Sequence, residues 1–555
     1  MTRLRSRALH VNRGCTHPGA LSRQLLLAAL AAPISLGQAT PVRVADKPCE
    51  GCHREIYRTY LATPMANASG PAVENLKTAD FLQKPSEAEY RVFAKDGAAH
   101  LTARAGNEFS EVTLSYFLGS GHLGTTYLYS IGKYLFESPV AWYAPSNGYD
   151  MKPGLAGITQ IPPPLPMQSS CMRCHMSSVQ RSDPGTVNRY QGAPFLHSGI
   201  TCEACHGESE QHVLTKGKAA ILNPDKVAAE RRDSICISCH LEGDVSVERA
   251  GHSALEYHPG ERIATYLAYY VRNGADPTAR GVSEVEQLSR STCKRMSGDR
   301  MSCTSCHDPH YRPDAQHRLA FYRAKCLSCH SDPAFSRTHH PENQDCTSCH
   351  MPTAQAANIL HVAWTDHRIL RVPESDQTQR KDTGPATLDP IFSPGASERD
   401  LAMAYYELLL EGDRSYETPA WEALMRLREK LSDDKEALDA LGNLAAEREE
   451  TQIAEAAFCR VLELDPVDLT ALSNLAILRA REGNVADAVS ILHAAFERNE
   501  DIPGLAMNLA RVQHMQGDDV AAEGTLKDAL KYCPNVEDIQ RLLRQLSGRL
   551  LGSGK

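Results

Sequence analysis

The sequence predicts a mainly α protein in two parts: a cysteine-dense region with a small antiparallel β insert, then an α-solenoid of helical repeats. Three observations carry that expectation. The string Cys-x-x-Cys-His occurs seven times before residue 351. Aromatic residues make up only 6% of the 555 residues, a thin supply for several large cores. Beyond residue 400 the composition turns to Ala, Leu, Glu and Arg with a 34-residue period. The length suits roughly two to four domains.

The strings are Cys49/Cys52/His53, Cys171/Cys174/His175, Cys202/Cys205/His206, Cys236/Cys239/His240, Cys303/Cys306/His307, Cys326/Cys329/His330 and Cys346/Cys349/His350. The chain's own cysteine and histidine frequencies predict about 0.02 such strings by chance. Two thiols two residues apart can form thioethers to the two vinyl groups of one haem, and the next histidine then lies beneath the iron. Zinc sites need four ligands, and neither they nor redox dithiols require a histidine directly after the second cysteine every time. The expectation is seven covalently attached haem c groups, held by those fourteen cysteines with the seven histidines as proximal iron ligands. Motifs two to seven occupy 180 residues, 30 per haem, so neighbouring haems should be in near contact. Each macrocycle is a large apolar plate that supplies the core the aromatics do not. A haem-packed multihaem cytochrome c domain is therefore expected over residues 46–370, largely unfolded without its cofactor.

Residues 1–39 carry five arginines and no acid, then an apolar run from Leu25 to about Leu36 and the small residues of Gly37-Gln38-Ala39. That is the pattern of a signal peptide, and the run falls short of the ~20 residues a permanent anchor needs. A periplasmic protein with no transmembrane anchor after cleavage is expected. Removing five positive charges takes the net charge from −9 to about −14, which argues against a nucleic-acid partner.

Within the first region, residues 89–143 alternate as strands do: Tyr90-Arg-Val-Phe, Glu111 to Phe117, and Thr126 to Ser130 turning through Ile131-Gly-Lys into Tyr134-Leu-Phe. The haem-dense remainder reads as loops and short helices. Residues 371–399, rich in Pro, Asp, Thr and Ser, read as a linker. From residue 400 to 548, Leu441-Gly442, Leu475-Ala476 and Leu509-Ala510 fall 34 apart, as do Ala454, Ala488 and Ala522, with Glu449, Gly483 and Gly517 at the inter-helix turn. This matches the tetratricopeptide repeat. A degenerate unit starts near Leu401, and Val536 to Leu546 reads as a capping helix. Such arrays bind protein on a concave face.

Whether each haem carries electrons or does chemistry depends on its second axial position. Twelve histidines lie outside the motifs, the leader and the repeats, enough for every iron to be six-coordinate. His122, in Gly119-Ser-Gly-His, His212, His310, His361 and His367 are the leading distal candidates. His197, His258 and His340 follow, and His252, His317 and His339 read as surface or supporting residues. Met65, twelve residues after His53, is a candidate thioether ligand for haem one that would raise its potential.

Cys49 to Met65, Gly119 to Trp142, Cys202-Glu-Ala-Cys-His-Gly through His212, Cys303 to His310 and Thr365-Asp-His-Arg resemble exported multihaem c-type cytochromes with C-terminal tetratricopeptide repeats. The haem part is similar to the four-haem electron carrier that accepts electrons from hydroxylamine oxidoreductase. The resemblance implies a bacterial periplasmic electron carrier; the repeats would dock redox partner proteins or tether the carrier in a larger assembly. Seven motifs stand where that carrier has four, so its haem pairing does not carry over. The alternative is an enzyme: a reductase or oxidase of a small nitrogen or sulfur compound at a five-coordinate haem.

Overall fold

A computed structural model describes residues 46–274, 280–332, 339, 343–355, 363–371 and 387–552. Helix α1 (Lys47–Tyr60) carries the first motif and leaves helical geometry at His53 itself. Both its ends are tied to the third motif's segment: the Tyr60 hydroxyl donates to the Ile200 carbonyl, and Asp46 accepts from the Cys202 N–H at 3.0 Å.

The β insert is larger than the alternation at 89–143 suggests. Strands β1 (Ser69–Pro71), β2 (Ala79–Gln83), β3 (Ala88–Lys95), β4 (Ala98–Ala105), β5 (Glu108–Leu118), β6 (Gly124–Ile131), β7 (Tyr134–Glu137), β8 (Val140–Tyr143), β9 (Gly148–Met151) and β10 (Leu165–Pro166) form one ten-stranded antiparallel sheet. Its spine runs β10-β7-β6-β5-β4-β3-β2, with β1 on β5 and β8 bridging β6 to β9. The β6–β7 hairpin turns through Gly132, whose φ of +60° suits glycine. Tyr90, Tyr127, Tyr134 and Phe136 are fully buried here among Val92, Leu101 and Val140. The scarce aromatics are thus concentrated in a side-chain core of the sheet's own, so this part of the region does not depend on macrocycles for its interior. The helical content fits the mainly α expectation, while the ten-stranded sheet makes the β part substantial rather than small.

The remaining motifs lie on or beside short helices: α2 (Ser169–Met172), α3 (Glu203–His206), α4 (Glu210–Leu214), α5 (Ala229–His240), α6 (Glu284–Arg290), α7 (Thr292–Ser297), α8 (Cys303–Cys306), α9 (Arg318–Leu327) and α10 (Cys346–His350). Short strands stitch them: β11 (Met176–Val179) with β12 (Phe195–Ser198), β13 (Val245–Glu248) with β14 (Leu267–Arg272), and β15 (Thr353–Gln355) with β16 (Ala363–Thr365).

Part of the segment read as a linker is structured. Leu388–Ile391 forms β17 on the free edge of β14, with Tyr269 opposite Ile391. From there the chain enters helix pairs α11 (Glu398–Leu410) and α12 (Glu417–Leu427), α13 (Lys435–Glu447) and α14 (Thr451–Leu464), α15 (Leu469–Arg481) and α16 (Val485–Phe496), α17 (Pro503–Gln516) and α18 (Asp519–Ala529), then α19 (Glu537–Gly552). The periodic residues are the packing residues: Ala454, Ala488 and Ala522 are completely buried. Glu449, Gly483 and Gly517 all take positive φ at the equivalent turn. A Cβ on Gly442 would meet the Phe458 ring at 2.6 Å, which explains glycine at that helix crossing.

The repeats are not a free-standing module. Val245, Val247, Ala268 and Tyr270 share one core with Leu388, Ala402, Met403 and Tyr406. Arg272 reaches Asp413 at 3.2 Å. At the other end Asn499 donates to the Gly185 carbonyl at 2.9 Å and Lys133 pairs with Glu500 at 3.3 Å.

Candidate haem-ligation sites

The motif thiols meet in pairs drawn from different motifs. Cys49 lies beside Cys202, Cys174 beside Cys239, Cys236 beside Cys303, and Cys326 beside Cys346, each pair close enough to perturb the other's ionisation. None of the fourteen is in a disulfide. The Cys174 contact, with Arg173 nearby, lowers the Cys239 thiol, whereas burial pushes Cys205 up to about 11.

Several other motif residues are exposed or half-buried in the polypeptide. Cys52 on α1, Cys171 on α2 and Cys329 just past α9 are exposed. Cys349 on α10 is half-buried, its Sγ 3.9 Å from Ser348 Oγ. His330 is also exposed, and its backbone N–H donates to the Cys326 carbonyl at 3.0 Å.

The histidines are arranged in opposed pairs. The rings of His53 and His212 are stacked with centroids 6.3 Å apart and planes 12° apart. His206 and His310 are stacked at 5.9 Å, His307 and His367 at 6.2 Å, and His350 and His339 at 5.8 Å. Such gaps are too wide for direct stacking contact. They leave room for a haem iron, which these paired imidazoles would hold through ring nitrogens if one lies between them.

The second ring nitrogens agree. Nδ1 of His206 lies 2.9 Å from the Leu222 carbonyl, that of His212 2.8 Å from the Ala219 carbonyl, that of His350 2.5 Å from the Leu370 carbonyl and that of His367 2.8 Å from the Thr365 carbonyl. Donating Nδ1–H to a carbonyl leaves Nε2 unprotonated as the ligating atom. Burial, with His367 and His240 beside it, pulls the His307 imidazole down to about 4, so the neutral form a metal requires prevails at neutral pH. The residues present therefore fit haem.

The other candidates fall differently. Opposite His53 stands the His212 imidazole. Met65 is anchored through its backbone carbonyl, which accepts from the Ile200 N–H at 3.0 Å. His339, read as a surface residue, faces His350, while its neighbour His340 lies outside the described residues, as does His361. His122 is exposed on the β5–β6 turn, within electrostatic reach of Arg312. His197 sits on β12 opposite Ser177, its Nδ1 buried with no hydrogen-bond partner among the described residues. His258 is exposed, its backbone N–H donating to Glu261. Among the described residues no imidazole is stacked opposite His175 or His240; His175 itself is deeply buried, which lowers its basicity. The carbonyls at Ala219, Leu222 and Leu370 escape sequence reasoning, because a carbonyl's role is set by where the chain passes and not by residue type.

Residues 159–207, which span motifs two and three, match the family model described as cytochrome c554 and c-prime. Residues 296–335, with motifs five and six, match the doubled CXXCH motif, and residues 479–546 match the tetratricopeptide repeat. The chain is a multihaem cytochrome with tetratricopeptide repeats. This cytochrome binds haem c covalently through its Cys-x-x-Cys-His motifs. It is 26% identical over 184 residues to the multiheme cytochrome MtrA of Shewanella baltica (strain OS185), covering 29% of this chain and 52% of that protein. It thus spans about half the length of the curated relative it matches. Similar solved structures include MamA from Desulfovibrio magneticus RS-1, 17% identical over 28% of this chain and 86% of that one with a TM-score of 0.25. Another is YrrB, described as a tetratricopeptide protein with an unusual peptide-binding site, 18% identical over 26% of this chain and 74% of that one, TM-score 0.23.

Proposed function

We propose that this cytochrome is an exported seven-haem electron carrier whose repeats dock a redox partner. The observation that carries the proposal is the opposition of His53 with His212, His206 with His310, His307 with His367 and His350 with His339. Four sites built for two strong axial ligands suit iron that changes charge without changing its ligands. Haem supplies the reversible one-electron chemistry; the chain's residues attach it, orient it and keep small molecules off the metal.

The thiol contacts support an order. Motif one adjoins three, two adjoins four, four adjoins five, and six adjoins seven. Cys205 and Cys239 bring three beside four, and Cys306 and Cys329 bring five beside six, each pair close enough for their charges to interact. The sites then form one series, one-three-four-five-six-seven, with two beside four. The export reading rests on residues 1–39, and among the described residues no helix is long and apolar enough to cross a membrane.

The test is an EPR spectrum of the ferric holoprotein with haem stoichiometry on the same sample. Seven haems per chain, all low-spin, is the expected result. A high-spin signal near one haem per chain, shifted by nitrite, hydroxylamine or cyanide, would overturn the carrier reading in favour of a reductase or oxidase. The irons of His175 and His240 are where that signal would be sought first.

A further inference from the structure

Of the four imidazoles that face a motif histidine, His367 has the most elaborate backing. It follows the β15–β16 hairpin. Its ring is steered by the Thr365 carbonyl, and the intervening Asp366 is buried in a two-pronged pair with Arg368 at 2.7–3.1 Å. One contact comes from a distant part of the chain. The His367 backbone N–H donates to Oε1 of Gln287, 80 residues earlier, at 2.7 Å. The amide of His310, by contrast, is held from within its own loop by Asp308 at 2.9 Å.

Gln287 is 2% exposed on α6. Its Nε2 donates to Ser283 Oγ at 2.7 Å, and that hydroxyl donates to the Arg280 carbonyl at 3.0 Å, so the amide's orientation is fixed from both sides. The helix beneath it is clamped as well. Buried Glu286 is paired with Arg280 and, at 2.9 Å, with Arg290. Arg280 reaches Asp244 at 2.8 Å, and the Arg272 N–H donates to the same carboxylate at 2.7 Å. Arg272 then pairs with Asp413 at the first repeat.

We infer that Gln287 is a positioning residue: it sets the backbone from which His367 presents Nε2 toward His307. This rests on the reading of His367 as the second axial ligand of the fifth site. A ligand held by a rigid supporting shell binds in one orientation, and loss of the support loosens the ring without removing it.

The experiment compares four full-length holoprotein variants by haem stoichiometry and ferric EPR. His367→Ala tests the underlying reading and should convert one haem equivalent from low to high spin. Gln287→Met keeps the side-chain length and removes the acceptor. It should leave stoichiometry and low-spin count intact while shifting or broadening one low-spin g feature, the one lost in His367→Ala. Gln287→Glu retains an acceptor oxygen and should restore the parent feature. Ser283→Ala, which frees the amide, should perturb the same feature more weakly, and it carries the test with Gln287→Glu if Gln287→Met does not fold. A Gln287→Met spectrum identical to the parent, or a shift that Gln287→Glu fails to reverse, overturns the inference while His367 remains a ligand. A His367→Ala protein with every haem still low-spin overturns the ligand reading itself.

Discussion

Tyr134 on the sheet and Tyr532 beyond the last repeat pair meet edge to face, with ring centroids 5.0 Å apart and planes at 88°. The Tyr134 hydroxyl donates to the Arg498 carbonyl at 3.0 Å and accepts from the Glu500 N–H at 3.1 Å. One fully buried side chain therefore joins the haem-bearing region to the repeats. Tyr134→Ala should cost about 3–5 kcal/mol through the cavity it leaves. Tyr134→Phe should cost about 1–2 kcal/mol by leaving a buried N–H unpaired. Denaturation followed both by haem absorbance and by helical circular dichroism should show the two signals moving together in the parent protein and separating in Tyr134→Ala.

Asp501 beside this seam gives it a pH dependence. Both carboxylate oxygens are buried and make no well-formed hydrogen bond among the described residues, and burial pushes the acid up to about 6, with the nearby Asn188 amide offsetting only part of that. The other groups around it are Lys133, Glu500, Tyr134, Tyr532 and Cys533. A carboxyl whose folded pKa lies above its unfolded value is comfortable only when protonated. Its contribution is complete below about pH 4 and is lost as pH rises through about 6, a penalty of at most ~3 kcal/mol at neutral pH. Asp501→Asn should raise the neutral-pH melting temperature and flatten its change between pH 5 and 7. An unchanged profile would mean the carboxyl is solvated in solution.

Removing a facing imidazole should open one iron. His212→Ala and His310→Ala should each turn one haem equivalent high-spin and make it bind cyanide or carbon monoxide. Met65→Ala should leave the low-spin signals unaltered, because His212 occupies the position opposite His53.

Two substitutions in the repeats should act in opposite directions. Glu449 holds φ at +61° where the next two units use Gly483 and Gly517. Glu449→Gly relieves a strain of about 1–2 kcal/mol, partly offset by the added freedom of glycine in the unfolded chain. Thermal melts should therefore rise slightly. Gly442→Ala forces a methyl against the Phe458 ring and should cost about 1–3 kcal/mol.

Haem attachment and the repeats were readable because both are written in local spacing. Two thiols and a histidine must be adjacent to serve one macrocycle, and a 34-residue register must be kept for helix pairs to stack. Ligand pairing was not readable, since which loop crosses which motif is decided by tertiary packing. His339 and His340 show the same limit, being adjacent and alike, so composition cannot say which of them faces His350. The sheet's outer strands escaped because β1, β9 and β10 are too short to display alternation. Residues 388–391 read as linker because their neighbours are polar, yet the open edge of β14 offered them backbone partners.

The opposed histidines also set a timetable. His53 waits for His212, His206 for His310 and His307 for His367, each partner arriving one odd-numbered motif later as the chain is delivered from its N-terminus. Early sites would receive haem while one face is still bare, and each would close only when a later stretch of polypeptide emerges. The seventh reverses the pattern, because His339 precedes His350. If these pairs ligate iron, a chain whose delivery halted partway would be left with an open site among its last-delivered motifs, so incomplete molecules would differ from finished ones in chemistry as well as in length.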